Sequence, residues 1–210
     1  MIRVFIIDDH PIVRKGIRET VTDAADMSVV GEAATGEQGI AWLGENACDV
    51  VILDLSLPGL PGLEVLSRVK SLAKSLPVLI MTMHAEKIYA ARAFKLGASG
   101  FIPKDSPPEV IIEALRKVAS GGKFVTPDMA EKMLFEREEN GKKPHEVLSN
   151  REFLILKMIG TGDSPQKIGE LLSISVKTVS TYRARILQKL GLKTNAELVR
   201  YCIQNQLDSD

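Results

Sequence analysis

Along the first 120 positions, short apolar runs alternate with amphipathic stretches. RVFIID, SVVGEA, DVVILD, PVLIMT and SGFIP are near-continuous runs rich in Val and Ile, the pattern of strands buried on both faces. Between them HPIVRKGIRETV, a segment opening at Thr35, GLEVLSRVKSLA, EKIYAARAFKLG and PPEVIIEALRKVASGG carry helical spacing. Thr35 and Gln38 stand at capping-box spacing, and Ser106 is expected to cap the fifth helix ahead of Pro107 and Pro108. Repeated strand–helix units predict an α/β fold, a doubly wound five-stranded parallel sheet with helices on both faces.

The pattern changes after residue 120. Thr126 and Pro127 could start a short helix through MAEKMLFER, but EENGKKPHE is polar and aperiodic, as a linker would be. From Leu148 onward everything is helical. Ser149 with Glu152, Ser164 before Pro165, Ser175, and Thr194 with Glu197 mark four helix starts, and Gly191 marks a stop. The expected organisation is a domain over 1–120, a linker over 121–146, and a small all-α four-helix domain over 147–210.

Composition narrows this little. Hydrophobic residues make up 45% and charged residues 26%, ordinary for a soluble globular chain. No run approaches the ~18 apolar residues of a membrane span, and a strand begins almost at once, leaving no room for a secretory signal. A cytoplasmic location without membrane contact is expected. Cys48 and Cys202 form no motif. Charge is unevenly spread: residues 1–120 hold 13 Lys and Arg against 15 Asp and Glu, whereas residues 147–210 hold 9 against 6. A basic C-terminal part permits nucleic-acid binding without requiring it.

The chemistry lies where the strands end. Asp8 and Asp9 end the first, Asp54 the third and Thr82 the fourth, and Lys104 follows the fifth. In an open parallel sheet ligands bind beyond these carboxyl ends. Each residue alone has a plain reading as a turn acid, a strand threonine or a surface lysine. Together they supply phosphoryl transfer. Three carboxylates can hold a Mg²⁺, one can act as nucleophile, and a hydroxyl and an ammonium can neutralise phosphoryl oxygens. A Mg²⁺-dependent phosphohydrolase would share that chemistry, but such enzymes use two acids one residue apart in a single loop, and Asp54 is followed by Leu55 and Ser56.

IIDDHP, ILDLSLPGLPGLEVL, IMTMHA and GASGFIPKD together resemble the CheY-like receiver domain of two-component response regulators, with its flavodoxin-like fold. The resemblance implies that Asp54 is the phosphoacceptor. Asp9 would bind Mg²⁺ directly and Asp8 through water, with the Ser56 backbone carbonyl as a further ligand. Thr82 and Lys104 would hold the phosphoryl group, and Phe101 would be the rotamer switch. Many receivers place a proline after this lysine; here Pro103 precedes it and Asp105 follows.

In the C-terminal part, Val179, Tyr182, Ile186 and Leu190 share one face of the helix after Ser175, at ~100° per residue. Lys177, Ser180, Thr181, Ala184 and Gln188 share the other, with Arg185 at its edge. Such a face suits the DNA major groove, although a merely solvated helix would look similar. Leu148, Arg151, Glu152, Gly160, Ile168, Leu171, Ser175, Thr178, Val179, Lys189 and Leu190 fall where LuxR-type helix-turn-helix domains place them. Many members carry lysines where this chain has Ser180 and Ala184, and a histidine where it has Tyr182. Joined to a receiver, this resembles the NarL/FixJ class. The resemblance implies a transcription regulator with a sensor histidine kinase, promoter DNA and a second copy of itself, when phosphorylated, as partners. It implies no enzyme beyond its own phosphorylation and dephosphorylation.

Overall fold

In the computed structural model, which describes residues 1–83, 87–131, 144–205 and 207, the apolar runs pair as parallel strands. They are β1 (Ile2–Ile7), β2 (Met27–Ala33), β3 (Val50–Leu53), β4 (Val78–Thr82), β5 (Gly100–Pro103) and β6 (Phe124–Val125), in the order β2-β1-β3-β4-β5-β6. The helices between them are α1 (Pro11–Asp23), α2 (Gly36–Glu45), α3 (Gly62–Leu72), α4 (Lys87–Lys95) and α5 (Pro108–Ala119). Side chains alternate across the sheet. Val4, Ile6, Ile52, Leu79, Met81 and Ile102 pack with Ile17 and Val21 of α1 and with Leu115 and Val118 of α5. Phe5, Ile7, Val51, Leu53, Ile80 and Phe101 are as deeply buried on the opposite face.

Two expectations are corrected. The sheet has six strands, not five. Gly100 and Phe101 pair with Phe124 and Val125, so a two-residue strand from the stretch after residue 120 covers the β5 edge. Two residues are too few to show a period. Nor does Ser106 cap α5. Pro107 occupies the cap position, and the Ser106 hydroxyl donates to the Pro103 carbonyl at 2.7 Å. Pro108 has no N–H to offer at the second position after Ser106, and the hydroxyl bonds back to Pro103 instead of reaching the Glu109 N–H. The Thr35 cap forms as expected, accepting from the Gln38 N–H at 3.2 Å.

The start of α3 lies tight against the end of β3. A Cβ on Gly62 would stand 2.4 Å from both the Asp54 carbonyl oxygen and the Leu55 Cα, and backbone atoms cannot give way as side chains can. Gly62→Ala should therefore destabilise the N-terminal domain by about 1–3 kcal/mol, read from the urea midpoint. An unchanged midpoint would mean that α3 can shift without cost.

The chain divides into two units, Met1–Glu138 and Glu139–Asp210. Residues 127–131 are helical; the expected continuation through Arg137 and the polar residues up to 143 lie outside the described residues. In the second unit a 3₁₀ turn (Pro144–Val147) precedes α6 (Asn150–Gly160), α7 (Pro165–Leu171), α8 (Val176–Leu190) and α9 (Asn195–Gln204). Ser149, Ser164, Ser175 and Thr194 all cap as expected, each accepting from the backbone N–H three residues on. Gly191 ends α8 in the left-handed region at φ 68°, where a side chain would be strained. Phe153, Leu156, Ile168, Val179, Ile186 and Leu198 form the core.

Part-buried polar contacts join elements distant in sequence. Glu152 completes the Ser149 capping box and also accepts from Lys189 Nζ at 2.6 Å. Burial works against the Glu152 charge, but the hydrogen bonds from Lys189 and Ser149 outweigh it and hold the carboxyl below its ordinary range. His145, 1% exposed, has Nδ1 2.9 Å from the Tyr201 hydroxyl, and its backbone N–H donates to the same oxygen. Pro144–Glu146, expected as the end of a linker, thus belong to a turn seated on α9.

Candidate functional site

Register brings the strand ends together. Ile7 lies beside Leu53, and the Asp54 N–H donates to the Ile7 carbonyl at 2.9 Å. Asp8 and Asp54 therefore emerge next to each other at the carboxyl edge of the adjacent strands β1 and β3. Thr82 pairs with Pro103, and the Lys104 N–H donates to the Thr82 carbonyl at 3.0 Å, which delivers the lysine to the same edge. All peptide bonds here are trans.

Lys104 ties the site together. Its Nζ lies 2.7 Å from Asp8 Oδ2 and 2.7 Å from Asp54 Oδ2, and its side chain is 3% exposed. The other Asp54 oxygen accepts from the Ser56 N–H at 3.1 Å. The other Asp8 oxygen accepts from the His10 N–H at 2.8 Å, a turn that fixes the backbone where α1 begins. Arg14 Nη1 donates to the Asp8 carbonyl at 2.6 Å, and its Nε meets Glu32 at the end of β2. Strand 2, which offered no ligand in sequence, braces the first strand through that arginine.

Asp9 is about a third exposed at 30% and stands at the mouth of the site. One oxygen from each of Asp8, Asp9 and Asp54 and one His10 ring nitrogen all lie within 4.8 Å of one another. Three carboxylates beside one ammonium leave an excess negative charge, and oxygen donors in this density suit a hard divalent cation. The residues present fit Mg²⁺. Thr82 is fully buried at the end of β4. Met81 belongs to the α1–α5 face, so alternation puts Thr82 on the other, together with Phe101, whose neighbour in register is Ile80. Phe101 is likewise 0% exposed. Ser56 contributes its N–H to Asp54, and its hydroxyl is buried without a hydrogen-bond partner.

In the second unit, α8 sorts its residues as the spacing predicts. Val179 and Ile186 are buried and Tyr182 and Leu190 half-buried, whereas Lys177, Ser180, Thr181, Ala184, Arg185 and Gln188 are all exposed. The Ser180 and Thr181 hydroxyls donate to the Val176 and Lys177 carbonyls, each at 3.0 Å. Their protons are thus occupied, while both exposed side chains keep lone pairs able to accept. The Arg185 guanidinium lies over the Tyr182 ring, 5.9 Å from its centroid. Arg183 is a further exposed cation on this helix, at the edge of the packed face, where a strict two-face division overlooks it.

Comparison with known proteins agrees with both halves. Residues 4–116 match the response regulator receiver domain, and residues 146–202 match the bacterial regulatory proteins of the luxR family. Over 209 residues the chain is 36% identical to the response regulator UvrY of Escherichia coli K12, covering 99% of this chain and 96% of UvrY. It is 32% identical over 207 residues to the response regulator GacA of Pseudomonas aeruginosa, covering 98% and 97%. Among solved structures, RcsB from Salmonella enterica serovar Typhimurium, bound to the promoter P1flhDC in the presence of the phosphomimetic BeF3⁻, aligns with a TM-score of 0.62. That alignment is at 28% identity and covers 95% of this chain and 97% of RcsB. A receiver sheet edge with its acids and lysine assembled, an exposed helix-turn-helix face and full-length relatives agree on one assignment: the chain belongs to the two-component response regulators of the NarL/FixJ class, which control transcription through a LuxR-type DNA-binding domain.

Proposed function

We propose that this response regulator accepts a phosphoryl group on Asp54 from a sensor histidine kinase, with Mg²⁺, and that this controls its binding to promoter DNA. The observation that carries the reading is Lys104 Nζ, 2.7 Å from a carboxylate oxygen of both Asp8 and Asp54. Asp8, Asp9, Asp54 and the Ser56 carbonyl would hold the ion, which when bound offsets charge on the incoming phosphoryl oxygens. An Asp54 carboxylate oxygen attacks phosphorus; the new O–P bond replaces the P–N bond of a phosphohistidine, and the leaving nitrogen keeps the electron pair. Lys104 then pairs with a phosphoryl oxygen rather than with the Asp54 carboxylate, and Thr82 donates to another. Drawing Thr82 toward phosphate leaves room on the face that it shares with Phe101, and a turn of that ring reshapes the β4–β5 surface. The protein has no further catalytic activity. It acts in the cytoplasm, in keeping with the fact that no helix among the described residues is long and apolar enough to cross a membrane. Intact mass after incubation with a small phosphodonor tests this reading: one added phosphate is expected with Mg²⁺ and none with excess chelator.

The DNA arm of the proposal lies on α8, whose outer face would enter the major groove of a promoter as one half of a homodimer. Lys177 and Arg185 flank that face and would meet phosphates; Gln188 extends it; Ser180, Thr181 and Ala184 point at base edges. The free lone pairs of Ser180 and Thr181 can accept from cytosine or adenine amino groups, and the Thr181 and Ala184 methyls can pack on thymine. Lys177→Ala should weaken binding to all sequences and reduce the salt slope by about one unit. Thr181→Ala should change preference at one base position, by about 1–3 kcal/mol. Binding titrations across salt, on DNA enriched by the protein itself, separate the two. A Lys177→Ala protein with altered base preference and unaltered salt slope would place α8 in some other orientation.

A further inference from the structure

His10 has no part in the phosphoryl-transfer scheme, yet its ring belongs to the site. Nδ1 lies 2.7 Å from Asp9 Oδ1 and 3.3 Å from Asp8 Oδ1. The Nδ1–Asp9 separation is that of a hydrogen bond, and Lys104 Nζ lies 3.4 Å from the same nitrogen. Neighbouring ligands of one octahedral ion with bonds of ~2.1 Å stand about 3 Å apart, so the same arrangement lets both side chains reach a common ion. The residue is also held in place. Its N–H is bound to Asp8, and Pro11 behind it begins α1. Its side chain is 55% exposed, so the ring is held by its polar contacts with Asp9, Asp8 and Lys104 rather than by packing.

We propose that His10 is a nitrogen ligand in the receiver metal site, which makes the site prefer a first-row transition ion such as Co²⁺ over Mg²⁺. This rests on the Mg²⁺ reading above and adds to it. Three carboxylates alone favour hard cations; an imidazole added to them favours later first-row ions, because Mg²⁺ has little affinity for nitrogen. His10 therefore sets which divalent ion occupies the site when several compete.

Isothermal titration calorimetry of the full-length protein with Mg²⁺ and with Co²⁺ tests this, on wild type, His10→Ala and Asp9→Asn, with the visible spectrum of Co²⁺ as a second readout. Wild type should bind Co²⁺ at least about tenfold tighter than Mg²⁺, with a band that changes in His10→Ala. His10→Ala should lose about tenfold in Co²⁺ affinity and stay within about twofold for Mg²⁺, which also shows that the variant is folded. Asp9→Asn should weaken both. If His10→Ala leaves the ratio of the two affinities and the spectrum unchanged, His10 is no ligand and only this inference falls. It falls in the same way if Co²⁺ binding survives Asp9→Asn, since the ion is then elsewhere. If wild type fails to bind Mg²⁺ in an Asp9-dependent way, the metal reading itself fails, and this inference with it.

Discussion

Asp54→Asn should take up no phosphate from a small phosphodonor under conditions in which the wild type is expected to gain one. The change removes a nucleophile and little else. Asparagine keeps the size of the side chain and an oxygen to accept the Ser56 N–H, now at 3.1 Å from Asp54 Oδ1. Lys104 keeps Asp8 as an ion-pair partner, so its ammonium is not left buried and unpaired. What an amide lacks is an anionic oxygen to attack phosphorus. Asp8 and Asp9 are the obvious substitutes, because a carboxylate oxygen of each lies within 4.8 Å of one from Asp54. Asp8, however, is 1% exposed and engaged by Lys104 and the His10 N–H. Asp9 sits at the mouth, where one of its oxygens is taken by the His10 ring at 2.7 Å. Labelling should therefore fall below detection in Asp54→Asn and also in wild type with chelator. Labelling of the variant at the wild-type level would reassign the phosphoacceptor, and peptide mapping would say to which acid.

Much of this site was legible in sequence for one physical reason. A parallel sheet buried on both faces forces its strands to be apolar to the last residue, so the first polar residue after each run marks the carboxyl edge. Asp8, Asp54, Thr82 and Lys104 could be placed at one edge without knowing the strand order. The second unit was legible for another reason: Ser149, Ser164, Ser175 and Thr194 are local signals, each closing a hydrogen bond three residues away. What could not be read is non-local or too short. β6 is two residues long, and its role is set by the open edge of β5, not by its own pattern. Ser106 is the exception among local signals: its hydroxyl bonds back to Pro103, three residues away, instead of forward. The link from Glu152 to Lys189 spans 37 positions and that from His145 to Tyr201 spans 56, distances over which no periodicity speaks. His10 was visible beside the acids, but only the position of its ring gives it work to do.

Phosphorylation should raise the affinity of the full-length protein for a two-half-site operator by about 10²–10⁴-fold, with no new base contact. The cause is geometric. One α8 offers a short face with two flanking cations, Lys177 and Arg185, and the receiver unit is not basic; a single domain of that kind binds weakly at physiological salt. Two copies held together make the second binding event intramolecular, and effective concentration supplies the gain. Each copy places one α8 in the major groove, so the half-sites must lie on one side of the duplex, about one turn or 10–10.5 base pairs apart. Inserting about five base pairs between them turns one half-site to the far side of the helix and should remove most of the gain. Inserting a full turn of about ten should restore part of it where the linker between the domains can span the added length. The measurement is fluorescence anisotropy on DNA enriched by the phosphorylated protein, with the intact, half-turn and single-half-site forms, alongside sedimentation of the protein with and without phosphodonor. A rise in affinity that is as large on a single half-site would place the effect of phosphorylation within one copy. Equal affinity of the two protein forms on the intact operator, with no change in sedimentation, would show that phosphate on Asp54 does not act through pairing at all.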